Sequence, residues 1–414
     1  MSLRHLVRTF FIIIAVPILA FAQDAQRMRD RDPDLAGAKK VASDLQQANF
    51  HSGPFYLFSR LRIGDAGYSE DYYVPTSDST GGVSLTVEAP NRLYFVPQRK
   101  IVLSAEVIPG YSFLSSGDKR GQFNYAARGD AHFLLNHLYL DLYTAQSDQL
   151  RAHVADVNTL ATLKSRETGL SGEAKYSSRT SGIFTVRYID DKYPPNRLQP
   201  ADPARDVSLL NRTEKNARVS LVHKTFPLTS FFLAAEGSEY DFSRATYKNS
   251  QRLYTSAGLL YDRGRTSMRL EAGPARLRFD DPTQRDYQGI QGAFAATRGN
   301  GRWTYSLNAN RDLGFAIFVD NNYFVADTAQ VGVDYIASRR LSLRANSAYE
   351  HDRFDTPVLG RLRRDTVTFN SVGFLYTLRR IRAGIDVGYY ERTTTAFGDE
   401  DSGIRYVLHL SFTP

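Results

Sequence analysis

The 414-residue sequence contains no cysteine. That absence excludes a lipoprotein acyl site and a disulfide framework, so no covalent bridge staples the fold. Tryptophan occurs once, as Trp303, and lysine is scarce: ten of the 52 basic residues are lysine, and none follows Lys248. Beyond the N-terminus no apolar run reaches the ~20 residues a spanning helix needs, and mean hydropathy is negative, which excludes a helical membrane protein. Nucleophile-elbow, paired-acid and metal-ligand spacings are missing too. His223, His409, Ser220 and Ser411, with Asp334, Glu350 and Asp386, could in principle furnish a hydrolase. Triads are recognised by geometry rather than position, so the sequence names no catalytic, cofactor or metal residue, and the simpler reading is polar groups solvated or paired with arginine.

What is present begins with an export signal. Met1 to Ala22, MSLRHLVRTFFIIIAVPILAFA, has a positive n-region at Arg4 and Arg8, an apolar core, and Ala20-Phe21-Ala22 as a cleavage pattern. A polar leader occupies residues 23–54. Within it Leu35 to Ala48 is either a short amphipathic helix with Asp34 as N-cap or an unstructured segment.

From Phe55 onward the pattern has period two, the signature of β-strands whose side chains alternate between faces. In IRAGIDVGYYER, Ile381, Ala383, Ile385, Val387 and Tyr389 share one face, and Arg382, Gly384, Asp386, Gly388 and Tyr390 the other. Strands of ~10 residues suit a bilayer better than the ~5–6 typical of a soluble sandwich. Tyr389, Tyr349, Tyr335 and Tyr261 each end an apolar row, as an aromatic girdle would. The apolar face is therefore expected outside. Tight turns, such as Asp262-Arg263-Gly264, Ser338-Arg339 and Arg379-Arg380, alternate with longer polar loops at Ser115–Gln122, Lys192–Arg212, Phe354–Arg364 and Thr393–Ser402. Arg265, Arg302, Arg340 and Arg380 open successive hairpins at spacings of 37, 38 and 40 residues. The expected fold is all-β: an antiparallel up-and-down transmembrane β-barrel over residues 55–414. Seventeen strands read clearly, and an even number is required when both termini share a side. His153 to Leu163 is taken as the missing strand, giving eighteen, with sixteen as the fallback.

The final strand alternates Ile404, Tyr406, Leu408, Leu410 and Phe412 with Arg405, Val407, His409 and Ser411. It is similar to the C-terminal strand that barrel assembly machinery recognises, although Phe412 is followed by Thr413-Pro414 and no glycine stands near Val407. Three stretches carry a family resemblance: GPFYLFSRLRIGDAGYSEDYY (Gly53 to Tyr73), YIASRRLSLRANSAYEHDRFD (Tyr335 to Asp355) and YTLRRIRAGIDVGYYERTTT (Tyr376 to Thr395). Through them the chain resembles the β-barrel porins associated with exopolysaccharide secretion. The resemblance implies an outer-membrane barrel of a Gram-negative-type bacterium, assisting passage of a secreted polysaccharide with an export apparatus as partner. It transfers no catalytic residue.

Forty-two arginines point to the lumen chemistry. Guanidinium pairs bidentately with carboxylate and stacks on aromatic rings. Arg187, Arg218, Arg252, Arg269, Arg344 and Arg382, with Tyr254 and Tyr390, are candidates to line a path for an acidic or hydroxyl-rich solute. The alternative, favoured for most of them, is that they brace Glu106, Asp141, Glu271 and Asp386 across the lumen. Outer-membrane lipid is an expected partner and nucleic acid is not. Two functions remain open: a porin-like channel, or a plugged barrel that anchors other envelope components.

Overall fold

The computed structural model describes residues 37–46, 48–69, 82–115, 121–152, 160–194, 206–317, 321–358, 361–395 and 401–413. The expected signal peptide and Asp34 lie outside the described residues. Eighteen antiparallel strands close into one barrel. The first two are interrupted: β1 is Phe55–Ser59 with Leu61–Ser69, and β2 is Gly82–Glu88 with Asn91–Gln98, broken at Ala89-Pro90. Next come β3 (Ile101–Leu114), β4 (Gly121–Leu134), β5 (Leu138–Ala152), β6 (Leu160–Lys175), β7 (Thr180–Lys192) and β8 (Arg212–Phe226). The far wall is β9 (Thr229–Phe242), β10 (Ser250–Asp262), β11 (Thr266–Phe279), β12 (Tyr287–Asn300) and β13 (Trp303–Phe315). The last five are β14 (Tyr323–Ile336), β15 (Leu341–Val358), β16 (Arg361–Leu378), β17 (Ile381–Thr394) and β18 (Asp401–Phe412).

Each strand pairs with its sequence neighbour, and β18 returns to β1 with Phe412 opposite Leu61 and Tyr406 opposite Tyr68. A register shift at that seam falls between Leu408 and Leu410. Gly67 sits there because a side chain would collide with the Tyr406 carbonyl oxygen. Below the reach of β18, a three-residue strand, Phe50–Ser52, covers the lower part of β1. Both ends of the barrel segment therefore lie at the end where the hairpin turns are short.

Alternation sets the two faces. On β8, Val219 is 62% exposed and Leu221 50%, while Arg218 and Ser220 are 6% and 7%. The same split holds on β17, where Ile385, Val387 and Tyr389 are exposed on the outside. An apolar exterior over a polar interior inverts a soluble fold and matches a barrel standing in lipid. Aromatic rings gather at both edges of this belt. At the turn end Trp303 packs against Tyr335 with ring centroids 4.4 Å apart, and Phe55 stacks on Phe95 at 4.9 Å. At the loop end Tyr111, Tyr188, Tyr349 and Tyr389 are exposed. Arg265, Arg302, Arg340 and Arg380 all fall in turns immediately before β11, β13, β15 and β17. Gly264 and Gly301 take positive φ values of 64° and 62° in two of these turns, where a side chain would be strained.

Two expectations from the sequence are corrected. The strand missing from the count is β4, Gly121–Leu134, not His153–Leu163. Residues 153–159 lie outside the described residues, and Leu160–Leu163 belong to the start of β6. The apolar run His132 to Tyr143 conceals a turn at Leu135–His137, where Leu135 N–H donates to the Leu138 carbonyl at 2.9 Å. Phe354–Arg364, expected as a loop, is mostly strand, because β15 and β16 extend to Val358 and Arg361. Their polar residues there stand beyond the apolar belt and need no lipid-compatible face.

Inside the barrel the chain packs in three layers. At the turn end an α-helix, α1 (Gly37–Gln46), lies against the inner wall, so the helical alternative for the leader is the one observed. Its Val41, 4% exposed, packs on Tyr94 and Val102 with Leu45, Tyr56 and Phe58 around them. At the loop end an apolar cluster packs inside the barrel. Leu210 and Ile317 come from connecting segments, while Tyr240, Phe242, Leu277 and Phe315 come from inward positions of β9, β11 and β13. The Phe315 ring meets Tyr240 and Phe242, each at 4.9 Å. Charge occupies the space between.

Candidate functional site: the charged inner wall

The central layer is built by inward positions of β8 to β13. Arg218 on β8 reaches Glu236 on β9 at 3.2 Å and Glu271 on β11 at 2.8 Å. Arg252 on β10 reaches Asp312 on β13 at 3.1 Å and approaches Glu236 at 3.8 Å, and it also donates to Gln291. Arg269 closes on Glu271 at 3.0 Å, and Ser256 Oγ donates to the same carboxylate at 2.7 Å. Three arginines and three carboxylates thus form one neutral knot bordering an open space of about 200 Å³. Tyr254 joins it, with the Arg252 guanidinium 5.5 Å from its ring centre. Of the sequence candidates, Arg218, Arg252, Arg269, Glu271 and Tyr254 therefore meet in one cluster.

The others are spread around the wall. Arg187 is buried on β7 and lies 3.7 Å from Glu167, which accepts from Tyr143 Oη at 2.7 Å. Arg344 forks onto Asp386, its Nε donating at 2.6 Å, and His409 Nε2 lies 2.6 Å from the same carboxylate. Arg382 and Tyr390 are half-buried on the inner face of β17. Among the described residues Arg382 has no acidic partner. Glu106 pairs with Arg92 at 2.6 Å, and Arg92 also holds Asp44 of α1 at 3.2 Å. Tyr94 Oη donates to Asp44 at 2.7 Å, so the helix is tied to the wall by both an ion pair and a hydrogen bond.

Further residues belong to this wall that the sequence did not single out. Glu236 and Asp312 complete the central knot. Asp365, wholly buried on β16, takes Arg363 at 2.7 Å, Arg392 at 2.8 Å and Thr394 at 2.5 Å. Register is needed to see them: Glu236 stands opposite Arg218 on the next strand, Asp365 lies one diagonal step from Arg392, and Asp312 meets Arg252 from three strands away. Outside the spanning region, Asp206 caps the turn Val207–Leu210 by accepting from Ser208 N–H at 2.9 Å and from Arg244 at 2.7 Å. Burial pushes its pKa up, but Ser208 and Arg244 outweigh it and hold the carboxyl below its usual range. This clamp fastens the loop-end cluster over the knot.

No family model matches the sequence, and no curated protein matches it. Solved structures do. OpdK, an outer membrane protein from Pseudomonas aeruginosa, superposes with a TM-score of 0.50 at 11% identity, over 86% of this chain and 98% of that one. The barrel has the fold of outer-membrane porins. A BenF-like porin from Pseudomonas fluorescens Pf-5 gives 0.51 at 10% identity over 86% and 99%, and OccK9 (OpdG) from Pseudomonas aeruginosa 0.51 at 11% over 86% and 98%. At such identity the likeness is one of fold. Together with the apolar exterior it places this porin-fold barrel in the outer membrane of a Gram-negative bacterium.

Proposed function

We propose that the protein is a porin-like channel for polar, anionic solutes, held narrow by its own interior layers. The observation that carries this reading is the inner wall. Eighteen strands enclose an aqueous lumen when nothing fills it, and here the lining is arginine, carboxylate and hydroxyl. Most of the cations are matched by acids, as the neutral knot at Arg218 and Arg252 shows. Arg382 has no matching acid among the described residues, and neither has Arg60, which stands near it. A fixed excess of positive charge raises the local concentration of anions. A secreted acidic polysaccharide is the largest cargo this reading admits, and its passage requires the loop-end cluster to move aside.

The expected result in a planar bilayer under a salt gradient is a reversal potential of the sign given by anion preference, reduced in Arg382→Gln. Replacing Arg344 matters less, because its charge is already matched by Asp386. The preference should fade toward 1 M salt, where the screening length is ~3 Å against ~10 Å at 0.1 M. A cation preference in the wild-type chain would reject the proposal.

A second reading, a plugged barrel serving as an envelope anchor, is favoured by α1 at one end and the apolar cluster at the other. The two separate on a deletion. Removing residues 37–46 should raise single-channel conductance severalfold if α1 is a removable obstruction in a conducting barrel. Silence in both forms would support the anchor.

A further inference from the structure

Near the turn end, β3, β4 and β5 bring together a group of side chains that the channel reading does not use. His132 on β4 and Asp141 on β5 are direct cross-strand partners, and Asp130 lies two residues before His132 on the same face. Ser104 on β3 is the partner of Asp130. His132 and Asp141 are 7% and 8% exposed. One potential ligand atom from each of Asp130, His132 and Asp141 lies within 4.8 Å of the other two.

The arrangement leaves one atom poorly served. Asp141 Oδ1 is buried and accepts no hydrogen bond, although His132 Nδ1 stands only 3.0 Å away. That nitrogen instead makes its hydrogen bond with Tyr139 Oη, at 3.2 Å. A buried carboxylate oxygen 3.0 Å from an imidazole nitrogen brings two potential metal-ligand atoms side by side. Ser104 Oγ donates to Asp130 Oδ2 at 2.9 Å and lies 3.3 Å from His132 Nε2, so a neighbouring hydroxyl fixes both the carboxylate and the ring. Such outer contacts orient metal ligands.

We infer that Asp130, His132 and Asp141 form a binding site for one divalent first-row metal ion of the zinc type on the lumen wall. One imidazole and two carboxylates suit such an ion better than calcium or magnesium, which take oxygen ligands. Zinc bonds to these groups are about 2.0–2.2 Å long, which puts tetrahedral ligands about 3.4 Å apart. Side-chain rotation of about an ångström achieves this from the observed spacing. Arg128 is the competing cation: its Nε lies 2.6 Å from Asp130 and its Nη2 3.5 Å from Asp141. Its side chain is 41% exposed and also lies over the Tyr143 ring at 4.1 Å, so an entering ion must displace it toward the lumen. Three protein ligands leave a coordination position for water or for a carboxylate-bearing solute.

The test is titration of the tag-free, chelator-stripped full barrel with Zn²⁺ against a chromogenic chelator. One equivalent should bind with a dissociation constant at or below the micromolar range. Affinity should fall at least tenfold in His132→Ala and in Asp141→Asn, but not in His351→Ala, with heat-modifiable gel migration confirming that every variant is folded. Arg128→Gln should tighten binding by removing the competitor. Absence of a saturable equivalent up to 1 mM, equal affinity in His132→Ala, or weaker binding in Arg128→Gln would each overturn the site and leave an arginine-clamped ion-pair network in its place.

Discussion

Val219→Arg should abolish stable insertion of the barrel, whereas Thr213→Arg on the same strand and the same face should be tolerated. Val219 is 62% exposed at mid-strand on β8, and Thr213 stands near the loop end, opposite Asp241 and Asp190. A cation at the lipid midplane of a barrel costs ~2–4 kcal/mol, falling to ~0–1 near the interface. Depth dependence on a single face is a signature that water on either side cannot reproduce. Refolding into lipid vesicles, read as the fraction showing heat-modifiable migration, supplies the comparison. Equal tolerance at the two positions would mean that the exposed apolar face does not meet lipid.

The second large effect is expected at the neutral knot. Arg218→Met removes the guanidinium that serves both Glu236 and Glu271, all three being less than a tenth exposed. Breaking a buried pair from one side leaves uncompensated charge and costs roughly 3–5 kcal/mol. The melting transition in detergent should drop sharply. Adding Glu236→Gln to that variant should recover much of the loss, because it leaves Arg252 with Asp312 and Arg269 with Glu271, and the stranded carboxylate, rather than the missing contact, carries the penalty. If Arg218→Met melts with the wild type, the knot is hydrated and its burial does not govern its energetics.

Strand type, strand number and the direction of the two faces were legible in the sequence, since period-two alternation survives wherever one side meets lipid. Placement was harder where that contrast faded. On β4 the outward row is Phe123, Tyr125, Ala127, Gly129 and Ala131, and its small residues weaken the alternation. Beside it His132 to Tyr143 reads as one apolar run, because the turn at Leu135–His137 holds neither glycine nor proline. The even count was thus reached through the wrong segment. That misplacement also concealed the Asp130, His132 and Asp141 group. On a single continuous strand His132 and Asp141, nine residues apart, would point to opposite faces; the hairpin makes them partners. The loop-end cluster escaped for another reason. Alternation says that Tyr240 and Phe242 share a face with Glu236, but not that this face turns apolar above the knot, where connecting segments fold in to meet it.

The docking of α1 also fixes an order of events. Asp44 finds Arg92 and Tyr94 across 48 and 50 residues of chain, whereas the seam joins Leu61 to Phe412 and Tyr68 to Tyr406, separations of 351 and 338 residues. Loop-closure entropy rises with separation, and distant pairings form late. The helix therefore has its binding surface on an open sheet of the first four strands, long before the eighteenth arrives. It is walled in when the ring shuts, not threaded through a finished one.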